Sequence, residues 1–454
     1  MMKKMVLAIT CFFVVAVCAA TATRDVWTWP FSKYSIWNMP IGSSATYVAC
    51  QMPKPDTYCA DVNYVHVNTS ANPRTVTDNA GNSIAVDDGQ WVDVNSSENK
   101  VLTVFESNRI NFRSIQPGDR ASATGNFNGW MWMGGSSHST NMTTIEMRGQ
   151  SQSIYGWGIE GAHWGAGMSG FGGTLRIGEL VNTTPIHHAL ALEVSGWKYM
   201  YYDDNDNSWD INTNDFTQKG FRWPADRNDS YANGGYKGTV PAFRVGALLA
   251  IKATQDLTTI GLTTDAAKKI AWTLQNYGGY VIDDAYGVNS NSTIFNMTYE
   301  EGVDEEFRAK YNYDFNIHWS TGSPRNQPFF QDMDKIIPLL HVISNNGPKS
   351  VGGGGNPREC LAPNFSSGTT DPITTNPNGN VTLPSGCNGT AVVDELHRYP
   401  HQKSYGERQA EPSAFYTMRG KKITGLRNGR MQAGKGVMIA KSKTGSNFIV
   451  VATK

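Results

Sequence analysis

The sequence predicts a mainly β protein, with a jelly-roll-like β-sandwich as its body and only a few short helices. Strand-length apolar runs recur along the body and are separated by Gly, Asn and Asp turns. Helix-capping signals are few by comparison. The runs that predict strands are 101–105, 143–147, 173–180, 189–194 and 245–251.

The clearest helical signal lies in the second half of the body. Thr264 is a typical N-cap, and apolar residues follow at helical spacing as far as Leu274. Gly278 then ends the pattern, so a helix is predicted between them. Shorter helices are predicted over 300–311 and 331–343.

The amino terminus has the three parts of a signal peptide. Lys3 and Lys4 form a basic start, 6–20 is an apolar run too short to span a membrane, and 20–22 offers a small-residue cleavage site. We therefore expect residues 1–22 to be removed on export. No later stretch reaches about 18 consecutive apolar residues, so no transmembrane segment is expected in the mature chain.

Composition divides the rest of the chain into three parts. Residues 23–345 are expected to form one β-rich body, 346–412 a linker rich in Gly, Pro, Thr and Asn, and 413–454 a separate C-terminal domain. The C-terminal domain holds nine Lys or Arg and neither Asp nor Glu.

Short apolar strands separated by glycine turns run through this C-terminal domain, at 416–421, 436–439 and 447–451. Their order and spacing resemble the C-terminal sorting domain of the type IX secretion pathway, a small β-sandwich. The resemblance implies that the type IX secretion machinery is a partner and that the protein is secreted to the outer cell surface of a bacterium. A small basic β-module that binds an anionic partner is the alternative.

The body also carries a set of distinctive stretches. They are WPF at 29–31, SIWNMP at 35–40, GFGGTLRIGEL at 170–180, IHHAL at 186–190, RWPA at 222–225, VPAFRVGALLA at 240–250 and YGGYVIDD at 277–284. These stretches resemble a family of uncharacterised secreted bacterial proteins, which brings no established activity. At His187 that family more often has Arg.

Charge and cysteine content narrow the function classes. The chain has 39 basic and 39 acidic residues, so without the basic C-terminal domain and the two signal lysines residues 23–412, the body with the linker, carry about −11. This negative charge argues against nucleic acid as a partner, because binding nucleic acid needs positive potential.

Four cysteines remain after the signal peptide. Proximity favours disulfides Cys50–Cys59 and Cys360–Cys387, although four cysteines allow three pairings.

The glycine-rich segment 156–173 is the first candidate site. It carries Trp157, His163 and Trp164, which could be presented to a groove that binds glycan. The alternative is a glycine-rich crossover with a structural histidine. Arg176 follows in the next predicted strand and could neutralise an acidic sugar.

The segment 187–194 is the second candidate. Strand alternation places His188 on the core face, and His187 with Glu193 on the other face, separated by alanines. We expect His163 and one of these histidines to converge beside Glu193 or Arg176. Core histidines are the alternative.

Two further motifs could bind ligands. Trp223 could stack on a sugar while Arg222 grips a carboxylate, or the pair could belong to a structural Arg–Asp bridge. The oxygen-rich run 203–210 could hold Ca²⁺ through Asp204 and Asp206, or be a solvated acidic turn. No other cofactor is indicated.

These observations predict an exported, polysaccharide-active protein, and three hypotheses stay open. The first is a glycan-degrading enzyme. A lyase would use His188 or His163 as base, a tyrosine as acid and Arg176 or Arg222 against the uronate.

A hydrolase would use two of Glu160, Glu179 and Glu193. The second hypothesis is a non-catalytic carbohydrate-binding or adhesive surface protein, and the third is a structural cell-surface protein. The acidic body favours a neutral glycan over a polyuronate, unless Ca²⁺ bridges the two.

Overall fold

The computed structural model describes most of the predicted body and parts of the chain after residue 345. The predicted signal peptide, 1–22, lies outside the described residues. Backbone and side chains are described at 31–58, 61–70, 72–87, 99–105, 112–122, 124–129, 161–163, 165–210, 213–285, 293–315, 326–363 and 375–387. Only the backbone is described at 23–24, 111, 130–132, 145–146, 160, 364–365, 414–417, 422–423, 436–441 and 447–452.

A seven-stranded mixed sheet carries most of the chain's buried apolar runs. Its three central strands are buried on both faces, which explains why they are nearly continuous apolar runs in the sequence rather than alternating ones. In sheet order they are β2 (Tyr47–Ala49), β19 (Leu340–Ile343), β15 (Leu248–Ile251), β16 (Gly279–Asp284), β12 (Leu190–Val194), β17 (Ile294–Met297) and β3 (Thr57–Tyr58).

A six-stranded sheet continues from it. Only Thr298 separates β17 from the next strand, so the chain passes directly from one sheet into the other. In order its strands are β10 (Ile145–Glu146), β8 (Asn111–Gln116), β7 (Leu102–Phe105), β4 (Val62–Val67) and β18 (Tyr299–Glu300), with β9 (Trp130–Trp132) also paired to β8.

The remaining elements of the body are short. Its strand pairs are β5 (Arg74–Thr77) with β6 (Ser83–Val86), β13 (Thr217–Gln218) with β14 (Phe221–Arg222) and β1 (Thr23–Arg24) with β20 (Asn364–Phe365). Strand β11 (Glu160–His163) lies next to β8 and β9. The helices are α1 (Gly196–Tyr199), α2 (Ala232–Gly235), α3 (Asp265–Asn276), α4 (Val303–Tyr311) and α5 (Pro328–Ile336). The fold is therefore mainly β with a few short helices, and the jelly-roll-like sandwich stays a prediction.

Helix α3 forms where capping and periodicity predict it. The Thr264 hydroxyl accepts a hydrogen bond from the Ala267 N–H, and the apolar face is buried. Gly278, with φ +76°, ends it. The helix predicted over 331–343 is different: α5 ends at Ile336, and the chain turns into β19 because Pro338 cannot continue a helix.

The strand predicted over 173–180 is wrong. The segment forms turns, and Gly178 has φ +93°. The Glu179 carboxylate accepts the Arg176 N–H at 2.6 Å, and the Glu179 N–H donates to the Arg176 carbonyl. These local bonds compete with a strand ladder.

The first part of the predicted linker packs on the body. Val351 is fully buried, and Arg358 donates through its backbone to Ile41 and through its guanidinium to the Gln275 carbonyl. The predicted boundary at 345 therefore falls inside a packed region. Residues 388–413 lie outside the described residues.

The C-terminal residues form an antiparallel four-stranded sheet. The predicted strands 436–439 and 447–451 lie within its last two strands. In sheet order the strands are β22 (Lys422–Ile423), β21 (Ala414–Thr417), β23 (Gly436–Lys441) and β24 (Asn447–Ala452). Across all the described residues, the helices are too short or too polar to cross a membrane.

Candidate functional site

A row of polar side chains crosses three neighbouring strands of the seven-stranded sheet. Glu193 on β12 pairs in register with Asp283 on β16 and with Asn296 on β17. Residues paired in this way point to the same face of a sheet, so the three side chains are neighbours. A register shift after Leu192 brings Glu193 opposite Asp283 instead of Ile282.

Two residues from other elements reach the same place. His163, at the end of β11, has its Nδ1 3.8 Å from Asp283 Oδ2. Asp61, immediately before β4, faces Glu193 closely enough to share a proton and interacts with the His163 ring. We call Asp61, His163, Glu193 and Asp283 the acidic centre.

The acidic centre is buried. His163 is 0%, Glu193 2%, and Asp61 and Asp283 6% exposed. One possible ligand atom from each of His163, Glu193 and Asp283 lies within 4.8 Å of the other two. Gly165 covers this site at a distance that only glycine permits, because a Cβ there would lie 2.1 Å from Asp283 Oδ1.

Donors from the chain satisfy only some of the oxygens of the acidic centre. The Asp284 N–H donates to Asp283 Oδ1 at 2.9 Å, and the Asn99 N–H donates to Asp61 Oδ1 at 3.4 Å. Asn296 Nδ2 donates to Glu193 Oε2 at 3.0 Å. In the part of the chain that the structure describes, neither His163 ring nitrogen has a hydrogen-bond partner, and Asp61 Oδ2 and Glu193 Oε1 receive no donor other than the proton that the two carboxyl groups can share. The centre is therefore rich in acceptor atoms that a donor or a cation could satisfy.

Burial sets the protonation of this centre. It raises the pKa of Asp283 to about 8 and that of Glu193 well above its usual range, where the charges of Asp61 and Asp283 add to the effect. Burial also raises the pKa of Asp61 and lowers that of His163 to about 4. Near neutral pH the imidazole is thus neutral and Asp283 holds a proton, while the raised pKa values of Glu193 and Asp61 favour their protonated forms.

A second pair of acids lies next to the centre. Asp284 accepts the Gly196 N–H at 2.6 Å and the Tyr231 hydroxyl at 3.0 Å. Asp229 accepts the Tyr236 hydroxyl at 2.7 Å. Burial raises the pKa of both carboxyls to about 7. Asp283 and Asp284 point to opposite faces of β16 and do not form a catalytic pair with each other.

The acidic centre can balance its charge in two ways. Its carboxyl groups can hold protons and hydrogen-bond to one another, or a divalent cation can replace the protons. One imidazole with two or three carboxylates is a donor set for first-row divalent metals. The residues that could hold such an ion are His163, Glu193 and Asp283, with Asp61 beside them.

His188 belongs to a different set of contacts. Its Nε2 lies 3.0 Å from Glu179 Oε1, and its Nδ1 lies 2.9 Å from the Ala189 carbonyl oxygen. Burial alone would lower the pKa of His188, but the Glu179 carboxylate raises it overall. Both ring nitrogens face acceptor oxygens of the chain itself, so neither is directed at a substrate from which it could take a proton. These contacts favour a structural role, and the catalytic role of His188 stays a prediction.

Arg176 is close to the same network. Its guanidinium stacks on the Phe171 ring with Cζ 3.6 Å from the ring centre, and Nη1 lies 3.6 Å from Glu300 Oε2. Arg176 is 3% exposed. A buried, paired guanidinium cannot reach a polymer in this conformation, which favours a structural role.

The expected face shared by His187 and Glu193 is absent. Strand β12 begins at Leu190, so the alternation does not extend back to the histidines. His187 instead meets the rings of Trp272 and Tyr277 edge to face. Trp157 and Trp164, predicted to bind sugar, lie outside the described residues, as does the side chain of Glu160.

A cleft of about 610 Å³ opens beside β14 and the end of β19. Arg222 lines it but is committed to the fold: Nη2 donates to the carbonyls of Ser344 and Asn346, and Nη1 to that of Ala242. Trp223 is 1% exposed and lies in the wall. A stacking role for Trp223 is therefore wrong in this conformation, because its faces are covered.

The predicted Ca²⁺ ligands are engaged by the chain itself. Asp206 Oδ2 lies 2.6 Å from Arg244 Nη2, and its Oδ1 accepts the Ser208 hydroxyl. Asp204 accepts the Tyr202 hydroxyl and the Asn233 amide. The two carboxylates bind separate partners, so the alternative of a structured acidic turn fits better than a calcium site.

One of the two predicted disulfides is confirmed. Cys360 and Cys387 are bonded. Cys50 is a buried free thiol, so its predicted bond to Cys59 is wrong in this structure. Cys59 itself lies outside the described residues.

No protein-family model, curated protein or solved structure matches this chain. The resemblances noted in the sequence therefore stay predictions, and any proposal of function must rest on the residues of this chain.

The sequence analysis selected His163 and Glu193 as site residues, but it missed Asp61 and Asp283. Asp61 and Asp283 are acids at the edge of, or inside, otherwise apolar strand sequences, VNYVHV and GYVIDD. An acid in a fully buried strand must be protonated, paired or bound to a cation. That signal was available, but it does not say which distant side chain shares the site.

Proposed function

We propose that the protein binds a neutral glycan and that the cleft is its binding site. The observation that supports this is the balanced polar lining of an open cleft of about 610 Å³, a size that suits a small-molecule or sugar ligand. Asp206 and Asp215 contribute two negative charges, and Arg222 and Arg244 two positive ones.

The rest of the lining supports hydrogen bonding rather than stacking. Thr217 brings a hydroxyl group to the cleft, which suits the hydroxyls of a sugar. Asn214, Asn345 and Ser350 also line the cleft and are held in place by hydrogen bonds to each other and to the backbone. An anionic polymer would meet both these carboxylates and the acidic body. A neutral glycan therefore fits better than a polyuronate.

Asp215 offers the sharpest test of this site. It is exposed, and its carboxylate accepts a hydrogen bond from the nearby Thr217 N–H, so Asp215→Ala should keep the fold. We expect the mature chain to bind one of a panel of neutral oligosaccharides in calorimetry, and the variant to bind about 10-fold more weakly. Asp265→Ala, which removes an acid on α3 that is 70% exposed, is the matched control and should bind normally. Equal binding by both variants, or no binding to any neutral glycan, would contradict the proposal.

Cleavage of glycan at the acidic centre is a second candidate function. The specific observation in its favour is that Glu193 and Asp283 are neighbouring carboxyl groups with raised pKa values, as a proton donor requires. They do not line the cleft and are only 2% and 6% exposed, so this function requires the residues around the centre to move and admit the substrate. The same incubations should then release reducing ends, and Glu193→Gln should abolish release while binding at the cleft stays intact. If the wild type binds but releases none, the protein is a carbohydrate-binding protein only.

We propose further that the protein is exported to a bacterial cell surface through its C-terminal domain. The support is the basic composition of 413–454 and its four-stranded sheet. Deleting 413–454 should leave a folded body with an unchanged melting temperature that is retained inside the cell envelope. Surface labelling of cells that express each form checks this, and normal surface amounts of the truncated form would rule it out.

A further inference from the structure

We propose that the acidic centre binds one first-row divalent cation, such as Mn²⁺ or Zn²⁺, through His163, Glu193 and Asp283. This inference is independent of glycan binding at the cleft. It concerns a different part of the molecule and a different class of ligand.

Geometry is the first argument. The three possible ligand atoms lie within 4.8 Å of one another, so a point among them lies within about 2.8 Å of each. Metal–ligand distances to nitrogen and oxygen are about 2.0–2.6 Å. A contraction of less than about 1 Å would thus complete the coordination, with Asp61 available as a further oxygen ligand.

Unsatisfied polar atoms are the second argument. His163 is 0% exposed, and neither of its ring nitrogens has a hydrogen-bond partner among the described residues. Glu193 Oε1 and Asp61 Oδ2 also receive no amide, hydroxyl or cationic donor among the described residues, apart from a proton that the two carboxyl groups can share. Since buried polar atoms are nearly always satisfied, a group of such atoms in one place indicates a ligand that accepts electron pairs.

Donor chemistry selects the class of cation. Calcium prefers a shell made of oxygen alone, whereas an imidazole nitrogen suits Zn²⁺ and other first-row metals, and carboxylates suit Mn²⁺. Asn296, which donates to Glu193 Oε2, would fix the orientation of that ligand. Protons and the cation compete for the same oxygens, so a bound cation would remove Glu193 as a proton donor.

The experiment uses the mature chain, residues 23–454, after treatment with a chelator. We expect one equivalent of Mn²⁺ or Zn²⁺ to remain after desalting and to raise the melting temperature by about 3–4 °C at a hundred-fold excess over Kd. Ca²⁺ should bind more weakly. Glu193→Gln and Asp283→Asn should each lose about 100-fold in affinity.

Asp204→Asn is the matched control, since its side chain is 54% exposed and belongs to the acidic run 203–210, outside the acidic centre. It should bind the cation like the wild type. If the centre variants fail to fold, pulsed electron paramagnetic resonance on the wild type with Mn²⁺ should detect one imidazole nitrogen. The proposal is overturned if folded protein retains none of the three cations, if Asp204→Asn alone loses binding, or if the Mn²⁺ spectrum has no nitrogen coupling.

Discussion

Replacing Arg222 by alanine is expected to lower the free energy of unfolding by about 3–5 kcal/mol. The guanidinium donates to the carbonyls of Ala242, Ser344 and Asn346, and so joins segments that are distant in sequence. Burial lowers the pKa of Arg222 to about 10, which still leaves it charged at neutral pH. Its removal would leave a cavity and carbonyl groups without donors.

Two further variants test whether the loss of stability comes from the guanidinium contacts of Arg222. Arg222→Lys should recover little of the loss, because a single ammonium cannot reproduce the planar fork that spans these carbonyls. Arg308→Ala, at a guanidinium 48% exposed on α4, is the matched control and should cost about 1 kcal/mol or less. Denaturant unfolding of the three variants checks this. If Arg222→Ala unfolds like the wild type but binds glycan weakly, Arg222 is a ligand-gripping residue, as the sequence first suggested.

The parts of the fold that the sequence could predict are the local ones. Helix α3 follows from Thr264, the apolar spacing after it and Gly278, all close together in the chain. Strand β12 follows from a short apolar run. The segment 173–180 has the same kind of apolar pattern, but Glu179 bonds to the backbone of Arg176 and bends the chain.

The acidic centre could be predicted only in part, because its members come together through pairing between distant segments. Glu193 and Asp283 are far apart in sequence and become neighbours through the parallel pairing of β12 with β16. The register shift that places them opposite each other cannot be predicted from a local sequence pattern. Asp61 arrives from the start of a strand of the other sheet. The two histidines show the opposite case. His163 and His188 are much closer in sequence than Glu193 and Asp283, yet His163 contacts Asp283 whereas His188 contacts Glu179.

The second large expected effect is a pH-dependent loss of folding stability caused by Asp229. Burial raises the pKa of its carboxyl to about 7, with the charge of Asp283 adding to the effect and the hydroxyls of Tyr236 and Tyr231 opposing it. In the unfolded chain an Asp titrates near pH ~4. The folded state therefore binds more protons between about pH 4 and pH 7, so this group makes stability fall as pH rises through that window and contributes no further change above it.

Asp229→Asn should remove this loss. The amide cannot ionise, while its oxygen can still accept the Tyr236 hydroxyl, so the variant should match the wild type near pH ~4 and exceed its stability by about 2–4 kcal/mol at about pH 8. Relief of the Asp229 charge should also ease the ionisation of Asp284, whose raised pKa it supports after burial, and this acts in the same direction. Urea unfolding at about pH 4.5 and about pH 8 measures both values, with Asp265→Asn on the exposed face of α3 as the control that should follow the wild type. A variant no more stable than the wild type at the higher pH would mean that Asp229 is already ionised there and that its charge is balanced within the fold.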